Sequence, residues 1–272
     1  QRNAQVYISH LNARAIIVTG SVAEGLSDFY SDLDLIVYYD KLPSEEELLM
    51  ATRQNQGQER RLLGSHSEEE AMETYQVGGV ECQLGHTTIA TWERDMATVL
   101  EQLDVASPLQ KALGGMLDAL PLYGEPLIRQ WQAKLAAYPD ALAQAMVRHH
   151  LAFFPLWSIQ ERMAVRDATI WMYQLLVDTA YNLLGVLAGL NQRYFSSFQF
   201  KRMQRFIAQL ELIPPRFADR LEAAFHADLT IAVQIIEELV RETIALVEHH
   251  MPQIDTARIR QRLDWRQQPW SL

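Results

Sequence analysis

The first ninety residues of the chain alternate between short apolar runs and polar turns, which is typical of strands interleaved with a few helices. Apolar runs near residues 14–19 and 33–39 are predicted to form strands, and residues 1–13 are predicted to form a leading helix. Residues 73–77 and 79–85 lie on either side of a glycine pair and predict a β-hairpin. This mixture predicts an α+β fold for the amino-terminal part of the chain.

The rest of the chain has the three- and four-residue apolar spacing of helices. Helix signals dominate beyond residue 105, no further strand is expected there, and residues 121–126 are interpreted as a turn. The predicted helices span residues 140–163, 166–189, 198–211, 215–225 and 228–249. The fold class is therefore predicted to be α+β, with a mixed-sheet domain over residues 1–130 followed by an all-α helical bundle over residues 131–272.

The spacing of two polar residues predicts where one helix begins. Ser44 precedes a run of glutamates, and Glu47 lies three positions after it, which is the arrangement of a capping box. In this motif each of the two side chains accepts a hydrogen bond from the other residue's backbone N–H. We therefore expect a helix to begin directly after Ser44.

The composition is that of a soluble globular protein, with 49% hydrophobic and 21% charged residues among 272. The formal net charge of −10 argues against broad binding to nucleic acid, which relies on clustered lysine and arginine. No apolar run approaches the roughly 18 residues of a membrane-spanning helix, and the start of the chain lacks the apolar segment of a signal peptide. We therefore expect a cytoplasmic protein with neither nucleic acid nor a membrane as partner. The oligomeric state is left open.

The residues with the clearest chemical pattern follow the first two predicted strands. Gly20-Ser21 ends the first strand, and Asp32 and Asp34 open the second. Residues i and i+2 of a strand project to the same face, so the two carboxylates are expected side by side. Adjacent carboxylates repel each other unless a cation lies between them, and oxygen ligands of this kind suit Mg²⁺ with substrate phosphates. The N–H groups and hydroxyl of the Gly-Ser turn are suited to hold such phosphates.

This compound pattern resembles the signature of the nucleotidyltransferase superfamily, whose fold is that of DNA polymerase β. The resemblance implies that Asp32 and Asp34 are catalytic metal ligands, and that a third carboxylate comes from a later strand. The best match for the third is Glu81, which follows the glycine pair of the predicted hairpin. Many members have aspartate there, so Glu81 is expected to be either a metal ligand or a general base. The implied cofactors are two Mg²⁺ ions, with a nucleoside triphosphate as co-substrate.

The resemblance also implies a set of residues that bind the triphosphate. Gly20 and Ser21 would hold phosphates, whereas Ser31 would either bind a phosphate or cap its own turn. In the helical half, Lys201 and Arg166 are candidates to reach the triphosphate, with surface charge as the alternative interpretation. Asp178 lies in an apolar stretch and is expected to bind a cationic acceptor, to serve as a base, or to form a salt bridge with Arg166 or Lys201.

The two-domain arrangement resembles antibiotic nucleotidyltransferases that act on aminoglycosides and lincosamides. It implies transfer of a nucleoside monophosphate to the hydroxyl of a small molecule, with an antibiotic as one candidate acceptor and with release of pyrophosphate. Two alternatives stay open. One is a nucleotidyltransferase of the toxin–antitoxin kind that acts on protein or tRNA, and the other is a non-catalytic binding module of the same fold. The intact aspartate pair weighs against the non-catalytic alternative.

Overall fold

The computed structural model describes residues 2–266, and contacts between Cα atoms divide the chain into two compact units. The first unit comprises residues 1–102 and 111–137, and the second comprises residues 103–110 and 138–272. The division into domains of residues 1–130 and 131–272 stays a prediction. Up to residue 136 the elements are α1 (Arg2–His10), β1 (Ala15–Thr19), α2 (Gly20–Ala23), β2 (Leu33–Tyr39), α3 (Glu45–Gln54), β3 (Gln58–Leu62), β4 (Glu70–Val77), β5 (Val80–Thr88), α4 (Ile89–Leu100), α5 (Leu109–Leu117), β6 (Leu120–Tyr123) and α6 (Glu125–Ala136).

The six strands form one mixed sheet in the order β3-β4-β5-β2-β1-β6. Strand β2 pairs antiparallel with β1 and parallel with β5, and the remaining neighbours are antiparallel. Strands β4 and β5 form the predicted hairpin. A mixed sheet in the amino-terminal part, followed by helices, confirms the predicted α+β class.

Strand β2 shows how the two faces of this sheet are used. Leu35 and Val37 project into the core on one face, where Tyr7 of α1 and Leu48 of α3 are also buried. Tyr38 projects to the opposite face and packs against Trp92 of α4 and Trp131 of α6, with ring centroids 5.9 Å and 4.8 Å away. Because side chains alternate along a strand, Asp34 lies on this second face, at the amino end of β2.

The capping box at the start of α3 is present as the sequence predicts. The side chain of Ser44 accepts a hydrogen bond from the backbone N–H of Glu47, and the Glu47 carboxylate accepts one from the backbone N–H of Ser44 at 2.8 Å. This motif satisfies two N–H groups that the first helical turn would otherwise leave unpaired.

Several predicted element boundaries are wrong. The stretch interpreted as a turn contains β6, which accommodates Pro121 because it is an edge strand beside β1. The single helix expected over residues 140–163 ends at His150, since Pro155 cannot continue a helix and restricts the residue before it. The helix expected over residues 198–211 is much shorter, because Arg202 has a left-handed backbone with φ of 59°.

Among the residues that the structure describes, the second unit contains helices and connecting loops but no strand. Beyond residue 137 it contains α7 (Asp140–His150), a π-helical turn (Ile159–Met163), a 3-10 turn (Ala164–Arg166), α8 (Thr169–Leu190), α9 (Met203–Ile207), α10 (Phe217–His226), α11 (Leu229–His250) and α12 (Ala257–Asp264). The carboxyl half of α8 is almost entirely buried, with α7 packed directly on it. No helix among the described residues is both long and apolar enough to span a membrane.

Two glycines allow the close approach of α7 and α8. A Cβ atom on Gly185 would lie 2.2 Å from the His150 ring, and one on Gly189 would lie 2.9 Å from the backbone oxygen of Ala143. A backbone oxygen cannot move aside as the end of a side chain can, so the second position is the more restrictive. The helix pair therefore depends on residue 189 having no side chain.

A buried polar network lies on the core face of the sheet. The Glu73 carboxylate is fully buried and accepts hydrogen bonds from Arg60 Nε at 2.5 Å and from Thr52 Oγ1 at 3.5 Å, with His86 Nε2 3.3 Å away. His86 Nδ1 in turn lies 3.0 Å from the Tyr39 hydroxyl. Burial alone would raise the pKa of Glu73, but hydrogen bonding and charge from His86 and Arg60 outweigh it and lower the pKa.

Gly189→Ala is expected to destabilise the protein by about 1–3 kcal/mol, because the added methyl group overlaps the backbone of α7. The measurement is the free energy of unfolding in urea. Gln174→Ala, at an exposed position of the same helix, is the control and should change stability by less than about 0.5 kcal/mol. Equal stability of the two variants would contradict the close packing.

Glu73→Gln is expected to lower the free energy of unfolding at pH 7 by about 3–5 kcal/mol, because Arg60 loses its buried partner and keeps only the exposed Glu45 carboxylate, 3.9 Å away. The pKa of Glu73 is lower in the folded protein than in the unfolded chain. Its ionised form therefore stabilises the fold above its ordinary pKa, and this contribution is lost as the pH falls through the lowered folded value.

The corresponding measurement is the free energy of unfolding between pH 7 and pH 3. The wild type should lose more stability over this range than Glu73→Gln, whereas the exposed control Glu46→Gln should follow the wild type. An identical acid dependence in the wild type and Glu73→Gln would rule out a stabilising role for the Glu73 charge.

Candidate active site

The segment after β1 turns sharply into the single helical turn α2. Gly20 has a left-handed backbone with φ of 66°, which favours glycine. The turn is closed by the backbone N–H of Leu26, which donates to the Ser21 carbonyl at 2.8 Å. Ser21 is half-buried, and within residues 2–266 its hydroxyl has no hydrogen-bond partner.

Gly20 also makes room for a carboxylate. Asp34 lies opposite Thr19 in the register of β1 and β2, so its side chain reaches the start of the turn. A Cβ atom on residue 20 would lie 2.1 Å from Asp34 Oδ2. The second aspartate of the pattern therefore packs directly on the glycine of the Gly-Ser turn.

The parallel pairing of β2 with β5 brings Glu81 to the same region. Leu33 is paired with Cys82 and Asp34 with Gln83, and paired residues project to the same face of the sheet. Cys82 is buried on the core face, whereas Glu81 and Gln83 lie on the face of Asp34. Asp34 and Gln83 are half-buried, and Glu81 is exposed.

Two hydrogen bonds hold side chains of this face. Gln83 Nε2 donates to Asp32 Oδ2 at 2.5 Å, and Thr74 Oγ1 of β4 donates to Glu81 Oε1 at 2.9 Å. Neither Gln83 nor Thr74 was expected from the sequence as part of the site. No spacing along the chain could have revealed them, because their place in one row with Asp34 across three strands depends on the strand register.

The three carboxylates described above, those of Asp32, Asp34 and Glu81, suit a hard divalent cation. Their donors are all carboxylate oxygens, the ligands that Mg²⁺ prefers, and in the described part of the chain neither Asp32 nor Glu81 forms an ion pair. Because Gly20 has no side chain, the Asp34 carboxylate has room to lie against the turn. No group of three His, Cys, Asp or Glu side chains within residues 2–266 is close enough to hold a metal together. The arrangement therefore fits Mg²⁺ held by one or two carboxylates, with phosphates and water as its other ligands.

The loop before Asp32 is held by its own polar side chains. The backbone N–H of Asp28 donates to Ser31 Oγ at 2.8 Å, and that hydroxyl donates to Asp28 Oδ1 at 3.2 Å. Ser31 thus closes its turn, and its expected contact with a phosphate stays a prediction. Phe29 and Tyr30 between them are 104% and 98% exposed, and no pattern in the sequence predicts a role for either residue.

The candidates in the helical half lie in the second unit. Lys201 and Arg166 are exposed, and neither forms a hydrogen bond or ion pair within residues 2–266. Asp178 is also exposed on α8, and so is its apolar neighbour Val177. The expectation that Asp178 lies in apolar surroundings is therefore wrong, and within residues 2–266 it forms no salt bridge with Arg166 or Lys201. A role of Asp178 towards the acceptor stays a prediction. The triphosphate contacts of Lys201 and Arg166 stay predictions.

Comparison with known proteins identifies the amino-terminal part. A family model described as "nucleotidyltransferase domain" matches residues 8–77, which include Gly20, Ser21, Asp32 and Asp34. Residues 8–77 are thus similar to a nucleotidyltransferase domain, and the resemblance drawn from the motif is confirmed. The matched region ends before Glu81, so the third carboxylate depends on the strand register alone.

Other comparisons add little to this family assignment. No curated protein matches the chain. Among solved structures, a nucleotidyltransferase-like protein from Exiguobacterium sibiricum matches with a TM-score of 0.41 and 11% sequence identity. The match covers 94% of this chain and 80% of that one.

Gly20→Ala is expected to abolish Mg²⁺-dependent binding of a non-hydrolysable nucleotide analogue, because the new methyl group displaces the Asp34 carboxylate. Gly25→Ala is the matched control: its φ of 69° is nearly the same, but a Cβ atom there would contact nothing within 4 Å. Both variants should lose about 1–2 kcal/mol of stability to backbone strain. Nucleotide binding should be measured by calorimetry, and equal binding by the two variants would contradict the contact between residue 20 and Asp34.

Proposed function

We propose that the protein transfers a nucleoside monophosphate from a nucleoside triphosphate to a hydroxyl group, with release of pyrophosphate. The observation that carries this proposal is the packing of Asp34 on Gly20, within a segment that matches the nucleotidyltransferase domain. In this packing a carboxylate, which is a common metal ligand, is in contact with a turn suited to bind phosphate. Asp32 lies on the same stretch of chain, and Glu81 lies on the neighbouring strand.

The proposed roles follow from the chemistry of each side chain. Asp32 and Asp34 would hold Mg²⁺, which when bound neutralises the charge on the phosphates and that of the leaving pyrophosphate. Ser21 and the N–H groups beside it would orient the triphosphate. In the reaction the acceptor oxygen bonds to the α-phosphorus, the bond from that phosphorus to the pyrophosphate oxygen breaks, and the hydroxyl proton is released. Glu81 would either accept that proton or complete the metal ligands.

The proposed acceptor is a small molecule with a free hydroxyl, and antibiotics of the aminoglycoside and lincosamide kinds are the first to test. This rests on the resemblance of the chain to antibiotic nucleotidyltransferases. The net charge of −10 supports a small or cationic acceptor over a nucleic acid, because a polyanion would be repelled. The test is incubation with α-labelled triphosphates, followed by identification of the labelled product. A labelled small molecule supports this acceptor class, whereas a labelled protein or tRNA shows that the acceptor is a macromolecule instead.

Asp32→Asn and Asp34→Asn are each expected to reduce Mg²⁺-dependent pyrophosphate release at least about 100-fold, because an amide oxygen carries no charge to hold the metal. The assay screens all four nucleoside triphosphates against the acceptor panel. Asp40→Asn, an exposed change at the far end of β2, is the control and should retain activity. Near-normal turnover in either site variant would refute the assignment of these aspartates.

A further inference from the structure

Gln83 is the one residue of the site that neither the motif nor the family match includes. It lies on β5 directly beside Asp34 in the parallel register, on the same face of the sheet. Its amide does not bond to that neighbour but reaches diagonally to Asp32, where Nε2 donates to Oδ2 at 2.5 Å. One side chain therefore lies next to one aspartate of the pair while it holds the other.

The hydrogen bond occupies only part of the Asp32 carboxylate. Within residues 2–266, the Asp32 side chain has no other hydrogen bond and no ion pair, so Oδ1 is left without a protein partner. A carboxylate at the end of a strand rotates about its χ2 angle unless a donor holds it. With Oδ2 held by the amide, the carboxylate plane is fixed and the second oxygen stays available to a ligand.

We propose that Gln83 is a positioning residue for the metal site, and that it acts by orienting the carboxylate of Asp32. This inference rests on the proposed function, because it takes Asp32 to be a metal ligand. Groups that hydrogen-bond to metal ligands commonly change metal affinity 10- to 100-fold when they are removed. Glutamine suits this role because its amide is a neutral donor, whereas an arginine or lysine would compete with the cation for the same carboxylate.

The opposite role would have the amide occupy the position of the metal and compete with it. The two roles differ in the sign of one measurement. If the amide orients Asp32, removal of the donor weakens metal binding, and if it competes, removal strengthens binding. Methionine has nearly the length and volume of glutamine but no N–H group, so Gln83→Met removes the donor with little change in packing.

The chain offers a matched control on the same face of the sheet. Gln76 on β4 lies opposite Glu81 in the antiparallel register and is exposed, and its side chain makes no hydrogen bond within the described residues. Gln76→Met therefore makes the same chemical change one strand away, without touching the carboxylate pair. Any difference between the two variants reports the bond to Asp32.

The test is the dissociation constant of Mn²⁺, a spectroscopic substitute for Mg²⁺, measured on the full chain with and without a non-hydrolysable nucleotide analogue. Gln83→Met is expected to weaken Mn²⁺ binding about 10-fold, while Gln76→Met matches the wild type and urea unfolding shows that both variants are folded. In an Asp32→Asn background, Gln83→Met should have no further effect, because the residue acts through that carboxylate.

The outcomes separate this inference from the proposed function. If the wild type binds Mn²⁺ but Gln83→Met binds it equally well or more tightly, the positioning role is wrong and the proposed function is untouched. An equal loss in the wild-type and Asp32→Asn backgrounds would also refute it, since the effect would not pass through Asp32. If the wild type binds no Mn²⁺ even with the nucleotide analogue, the proposed function itself fails.

Discussion

The parallel pairing of β2 with β5 is the constraint on which the candidate site depends. It connects two strands with forty residues of chain between them, and no local turn sets its register. The register is fixed instead by burial, because Leu35 on β2 and Cys82 on β5 must both face the core. A slip of one residue would turn Glu81 and Gln83 towards that core and away from the aspartates. The chemistry on one face is thus specified by the packing on the other.

The two faces of the sheet treat charge in opposite ways. On the core face, Glu73 is fully buried, and Arg60, His86 and Thr52 surround it, so its charge is satisfied within the fold. On the other face, Asp32 has a neutral amide as its partner in the described part of the chain. A buried carboxylate without compensation would destabilise the protein, whereas a half-buried one at the end of a strand can keep its charge for a ligand. This difference in burial explains why one network is structural and the other is suited to bind a cation.

Much of this arrangement could be predicted from local spacing, and the rest could not. The i, i+2 relation of Asp32 and Asp34 and the Ser44 capping box are encoded within a few residues, so the sequence predicts them. The bond from Gln83 to Asp32 depends on a register between distant strands, which no spacing along the chain reveals. Strand β6 was missed because Pro121 is typical of turns, and only its position at the sheet edge makes it compatible with a strand.

The charge of the protein limits how a triphosphate can bind near these carboxylates. Two unit charges 4 Å apart repel each other by about 4 kcal/mol at the effective dielectric constant of a protein surface. Each carboxylate of the site would oppose a phosphate by a comparable amount, and the net charge of −10 adds a weaker long-range repulsion that salt screens. The N–H groups of the single helical turn after Gly20 carry only partial charges and cannot offset repulsion of this size. A triphosphate can therefore occupy this face only together with cations, so that metal and nucleotide must bind cooperatively if the proposed function is correct.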